Sequence, residues 1–282
     1  MSSLCRALAI HDISCMGRCS LTTALPILSA AGIETPVIPT AILSTHTGGF
    51  SGYTYRDLTD DILPIVSHWT TLNRPLNAIY TGFLGSVHQI EIICRVFDML
   101  KEESTLIFVD PVMADFGKLY SVYNEEFPKQ MKQLCEKADM IIPNITEACF
   151  LLDIPYREGP YTQDFILDLM HKLHQTFDHA TVILTGVYFN DNELGCACME
   201  KGENEIRFIM GEKIPGFYHG TGDVFAATLL AAWLKTNDLE KSCRIAVDFT
   251  VDALKRTHNA HADVRYGVDF EPGLCKLANL LV

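Results

Sequence analysis

A few polar positions in this 282-residue chain are of types and spacing that could act together. The stretch "HGTGDVFAATLLAAW" sets Gly220, Thr221 and Gly222 before Asp223 and then runs apolar. Two glycines at a helix start let successive N–H groups form a concave nest, and the positive end of the helix dipole adds to it. Such a nest suits a phosphoryl group carrying charge in transit. Asp223 would sit beside that group, where it could orient an attacking hydroxyl and accept its proton. The dipole should lower the Asp223 pKa, which is tolerable because a loose phosphoryl-transfer transition state needs the proton removed only late. Aspartate is also a favoured helix cap, so the motif has a plainer reading.

Other polar groups fall at the ends of apolar runs. Asp12 and Ser14 close the first run and Thr47 follows the second. Asp110 ends "TLIFVD", Asn144 and Glu147 follow "MII", and Thr185 ends "TVILT". Each alone is ordinary: Asp110 precedes a proline, which holds it extended, and Glu147 suits the first turn of a helix. Together they should gather on one rim. Asp110 and Glu147 then become outer supports for Mg²⁺ through water, since this ion keeps several waters. No Walker A sequence occurs. Asp115-Phe116-Gly117 lacks the companion signatures of a protein kinase and reads as coincidence.

The elements that must position these groups follow from periodicity. "RALAI", "TPVIPTAIL", "AIYTG", "TLIFVDPV", "ADMIIPN" and "ATVILTG" read as strands. Helices are expected over 20–32, ended by Gly32, and over 56–72, 86–103, 146–152 and 162–177. After Gly186, "ELGCACME" and "EIRFIM" predict an edge hairpin, and two helices follow over 223–236 and 239–258. Strand–helix alternation implies right-handed crossovers and a three-layer α/β/α domain spanning 1–282, with a mainly parallel sheet. The loop "LSTHTGGFSGYTY" lies where open α/β sheets bind ligands.

A net charge of −13 argues against a nucleic-acid partner. Ten cysteines without a C-x-x-C pair, no signal-like segment and no long apolar run lead to the expectation of free thiols, no membrane and the cytoplasm.

Four segments resemble one known family. "GTGDVFAATLLAAW", "FVDPVMAD", "DMIIPNITEA" and "LSTHTGG" are similar to signatures of the vitamin kinase branch of the ribokinase superfamily, and within it of the pyridoxal kinases. The resemblance covers nearly the whole chain. It implies ATP as co-substrate, Mg²⁺, a homodimer and a sheet of eight or more strands; a monovalent cation is left open. It implies Asp223 as base and Gly220, Thr221 and Gly222 as anion hole. Asp110, Asn144 and Glu147 would serve the nucleotide and its metal, and Asp115 a further cation or phosphate. Thr185 and Gly186 would touch the nucleotide, and Thr47 the substrate.

A flat heteroaromatic ring with a hydroxymethyl arm wants an apolar slot and a few polar groups. Phe83 is a candidate to stack on it and equally a core residue. Ser14 and Thr47 would address the polar edge, and Asp12 the ring nitrogen or phenol. His46 reads as a loop histidine without a role. One departure matters: "HDISCMG" stands where pyridoxal kinases commonly carry Gln-Ser-His. It is closer to the Asp-x-Ser of hydroxymethylpyrimidine kinases, although the Gly-His-Gly-Pro ending of those enzymes is missing. A hydroxymethylpyrimidine kinase and a non-catalytic B6-binding protein therefore stand as alternatives.

Overall fold

A run such as "RALAI", with no alternation, belongs to a strand buried on both faces. In the structure, a computed structural model describing residues 4–281, that strand lies inside the main sheet, third from one edge. The chain begins β1 (Ala7–Met16), α1 (Leu21–Ala30), β2 (Val37–Thr45), β3 (Tyr55–Asp57) and α2 (Thr59–Trp69). It continues β4 (Ala78–Thr81), α3 (Val87–Leu100), β5 (Leu106–Val109), the small strands β6 (Ala114–Asp115) and β7 (Lys118–Leu119), and α4 (Phe127–Cys135). Then come β8 (Met140–Ile141), α5 (Ile145–Leu152), α6 (Gln163–Thr176), β9 (Thr181–Val187), β10 (Glu193–Met199) and β11 (Arg207–Glu212). Helices α7 (Thr221–Thr236), α8 (Leu239–Asn259) and α9 (Leu274–Leu281) follow.

Nine strands form one sheet in the order β11-β10-β9-β8-β5-β4-β1-β2-β3. The six from β9 to β2 in that order run parallel, β10 and β11 form the expected antiparallel edge, and β3 caps the other edge antiparallel to β2. Leu8, Ile10, Ile79 and Val109 face α2 to α6, while Tyr80, Phe108 and Ile183 face α1, α7, α8 and α9. These are the three layers implied by the pattern. Helix α7 is buried all round from Val224 to Ala232, as an apolar helix with neighbours on every side must be.

Strand order reverses at β1, whose neighbours β2 and β4 lead in opposite directions along the sheet. Parallel strands put their carboxyl ends on one rim, and a reversal opens a crevice there.

Several expectations need correction. Strand β1 runs on through Asp12 and Ser14 to Met16, with an irregularity against β2 between His11 and Ile13. Arg56 and Asp57 belong to β3 rather than to the following helix, because the Asp57 carboxylate accepts the Thr59 N–H at 2.7 Å and turns the chain first. Helices α4 and α9 were not expected, and Asp115-Phe116-Gly117 is the turn of the β6–β7 hairpin, with φ of 49° at Phe116 and 74° at Gly117. All ten cysteines are unpaired. Among the described residues no helix is long and apolar enough to cross a membrane.

Candidate active site

The glycines before α7 have separate duties. Gly220 caps the helix at φ 74°, and a Cβ there would collide with the Arg18 carbonyl oxygen. Gly222 is exposed, with no atom within 4 Å of where its Cβ would stand. The first helical bond of this end runs from Val224 N–H to Gly220 C=O at 3.1 Å. Among the described residues the N–H groups of Thr221, Gly222 and Asp223 have no acceptor. Three donors at the positive end of a 16-residue helix thus lack a partner in the protein, beside the exposed Gly222.

Asp223 stands in the first turn with its carboxyl largely enclosed. Its pKa is pushed up to about 7, first by burial and further by the charge of Asp12, against the lowering effect of the Ser20 N–H. This reverses the expectation of a lowered value, and removal from water is the largest cause. A carboxylate titrating near neutrality is a better-matched proton acceptor than one held low.

Asp12 is 3% exposed, and the Ser14 hydroxyl donates to it at 3.0 Å. Burial raises its pKa, while the hydroxyls of Ser20 and Ser14 hold it down. Asp110 follows β5, with its N–H on Thr81 C=O at 3.0 Å, and is raised by burial and by Glu147 and Asp223. Glu147 is pushed up to about 8, chiefly by burial, and Asp115 is raised by burial. Among the described residues no lysine or arginine pairs with any of these five acids. An uncompensated buried acid group of this kind fits a cation. No three His, Cys, Asp or Glu side chains among the described residues are grouped to hold a metal unaided.

Asn144 and Glu147 are heavily engaged. Asn144 Oδ1 accepts the Glu147 N–H at 2.9 Å, and Glu147 Oε2 accepts the Asn144 N–H at 2.9 Å, a reciprocal capping box on α5. The other Glu147 oxygen accepts from Met113 N–H at 3.1 Å, and Asn144 Nδ2 donates to Ala114 C=O at 2.9 Å. The pair ties the β5–β6 connection to α5. Thr185 lies inside β9 rather than at its end, its N–H on Pro143 C=O at 2.9 Å. Gly186, at φ 77°, takes up a break in the β9–β10 register.

Thr47 sits in the turn after β2, and His46 beside it has a structural part after all. Gly48 N–H donates to His46 Nδ1 at 3.1 Å, so Nε2 carries the proton that it gives to Arg265 C=O at 2.5 Å. Ring contacts run on from His46 to His219 at 4.9 Å and to Phe50 at 5.1 Å. Phe217 joins His219 to Phe116 on the β6–β7 turn. Phe83 is half-buried, its ring 5.8 Å from that of Tyr123.

Periodicity and spacing missed Ser20, His46 and the buried pair His11 and Tyr80, whose rings meet at 4.3 Å. The one available signal was their place beside motifs already singled out.

Residues 25–267 match the family described as phosphomethylpyrimidine kinase. The chain belongs to that family. It is 26% identical to the pyridoxal kinase of Dictyostelium discoideum, over 92% of this chain and 88% of that one. Among solved structures it is similar to pyridoxal kinase from Lactobacillus plantarum, at 29% identity and a TM-score of 0.90, covering 99% of this chain and 98% of that one. A Bacteroides thetaiotaomicron protein crystallised with pyridoxal gives 31% identity and a TM-score of 0.90, covering 99% and 97%. The likeness to pyridoxal kinases read from the sequence is borne out.

Proposed function

We propose that this protein is an ATP- and Mg²⁺-dependent kinase that phosphorylates the 5′-hydroxymethyl group of pyridoxal. The observation that carries the reading is Asp223, with a pKa near neutrality, beside three helix-start amides that have no acceptor in the protein. In this reading the substrate hydroxyl approaches Asp223, which orients it and takes its proton late in transfer. The amides of Thr221, Gly222 and Asp223 hold the moving phosphoryl oxygens without having to reorganise. Asp12, Ser14 and Thr47 address the polar edge of the ring. Thr185 and Gly186 border the nucleotide.

Asp110 and Glu147 would hold Mg²⁺ through water, with Asp115 nearby; their uncompensated burial suits it. Bound there, the ion would neutralise phosphate charge. A homodimer and a cytoplasmic location belong to the same proposal, the first testable by sedimentation.

The likeness to pyridoxal kinases and to a protein crystallised with pyridoxal supports this substrate over the pyrimidine. The deciding experiment supplies Mg-ATP with pyridoxal, pyridoxine, pyridoxamine or 4-amino-5-hydroxymethyl-2-methylpyrimidine. ADP release and the 5′-phosphate product are read together. Faster turnover of the pyrimidine would overturn the substrate, and tight binding of pyridoxal 5′-phosphate without ADP release would overturn the kinase.

A further inference from the structure

Thr47 stands on a loop that hydrogen bonds do little to hold. The ladder joining β2 to β3 stops outside it, with Ser44 N–H on Thr54 C=O at 3.2 Å. Among the described residues, the stretch from Thr47 to Tyr53 makes one hydrogen bond, from Gly48 N–H to His46 Nδ1 at 3.1 Å. Its place is therefore set by packing. On one side the Phe50 ring meets that of Tyr266 at 5.2 Å, and the Arg265 guanidinium lies 5.3 Å from its centre. These contacts tie the loop to the short turn Val264–Tyr266, not to the start of α7 where Asp223 stands.

The contact that does reach α7 is made by His219, which immediately precedes Gly220. Its backbone N–H donates to Val264 C=O at 3.5 Å. Its ring lies 4.9 Å from that of His46 and, edge to face, 4.8 Å from that of Phe217. The loop backbone rests directly against this ring. A Cβ on Gly48 would stand 2.6 Å from His219 Cε1 and 2.9 Å from Nδ1, and one on Gly49 would stand 3.4 Å from Nε2. Gly48 is not among the glycines at positive φ, so its backbone would accept a side chain. What forbids one there is the His219 ring. Burial, and to a lesser degree His46, lowers the His219 pKa, so the ring packs uncharged.

We propose that His219 is a positioning residue: its ring is the spacer on which the Gly48–Gly49 backbone seats, and it sets the separation between Thr47 and Asp223. It thereby registers the edge of the ring alcohol held at Thr47 against the acid that takes the proton. This rests on the function proposed above. The spacer acts through the loop and needs no contact with substrate.

Two substitutions and their combination test it. His219→Ala removes the ring and keeps the backbone N–H on Val264. It should lower kcat/KM for the ring alcohol about tenfold, as a displaced Thr47 loses one hydrogen bond to the substrate, while KM for Mg-ATP stays within about twofold. A merely structural role would weaken both substrates alike. Gly48→Ala drives a methyl group into the ring and should also cost about tenfold in kcat/KM for the ring alcohol. With His219→Ala already made, the methyl group has room, so Gly48→Ala should then cost less than about twofold more. A loss below threefold in His219→Ala, an equal rise in KM for Mg-ATP, or the same cost of Gly48→Ala in both backgrounds overturns the proposal.

The assay uses whichever ring alcohol the unmodified protein turns over fastest. If none releases ADP, the kinase reading fails on its own. Crystal structures of Gly48→Ala and of the double variant then decide the spacer without turnover. Thr47 moved away from Asp223 by roughly 1 Å in the single variant, and not in the double, supports it. Thr47 unmoved in Gly48→Ala, or moved equally in both, overturns it.

Discussion

Replacing Asp223 by asparagine should move activity and stability in opposite directions. Asparagine keeps the shape but cannot take a proton. Loss of a positioned general base costs 10²- to 10⁴-fold in kcat. The same carboxyl is a burden on the fold, because burial and Asp12 raise its pKa from 3.8 to about 7. The folded state therefore holds a proton between about pH 4 and 7 that the unfolded chain has released. Stability falls across that window as pH rises, and the penalty is complete above it. At ~1.4 kcal/mol per tenfold, the shift corresponds to about 4 kcal/mol. Asp223→Asn should thus be more stable than the parent at pH 8 by up to about that amount, and equal to it near pH 4. Urea denaturation at the two pH values reads this. Steady-state ADP release between pH 5.5 and 8.5 reads the other half: the parent kcat/KM should fall tenfold per pH unit below about 7, and the residual asparagine rate should not. An asparagine protein that keeps more than a tenth of the parent kcat, shows the same acid limb, or is less stable at pH 8 would refute the reasoning.

Three further outcomes follow from the same contacts. Gly220→Ala meets the Arg18 carbonyl at a positive φ and should lose about 2–4 kcal/mol in thermal or urea unfolding, whereas Gly222→Ala enters open space and should keep its Tm while losing turnover at least tenfold. His11, fully buried, has its pKa pushed down to about 3 by burial, so the fold excludes a proton that the unfolded chain binds below pH 6.5. His11→Gln should match the parent's pH dependence above pH 7 and resist acid better by about 3 kcal/mol at pH 4, read by urea midpoints. Glu147→Gln sets a donor against the Met113 or Asn144 N–H and should lose about 1–3 kcal/mol, while Asp110→Asn, which removes an acid whose pKa burial raises, should have a higher Tm than the parent at pH 8 and raise the Mg²⁺ concentration needed for half-maximal rate about tenfold.

Much of the fold was legible because it rests on local pattern. Apolar runs such as "RALAI" and "ATVILTG", alternating with amphipathic segments, fix a parallel sheet with helices on both faces, and only right-handed crossovers connect it. The elements that escaped are those whose order comes from partners distant in sequence. Strand β3 is three exposed residues that exist by pairing with Ala41 to Leu43, and α4 has only Met131, Leu134 and similar residues to mark the face it buries. Asp12 and Ser14 looked like a strand end because polar side chains rarely continue a buried strand. They continue this one because the Ser14 hydroxyl hydrogen-bonds the carboxylate.

The sequence by itself determined which chemical groups lie on the rim, since the carboxyl ends of parallel strands share one edge and Gly-Thr-Gly-Asp opens a helix there. Only the tertiary structure decided their state. Whether Asp223 is held low by the helix dipole or raised by burial depends on how much water its neighbours exclude and on an acid 211 positions earlier in the chain. No local pattern encodes either quantity.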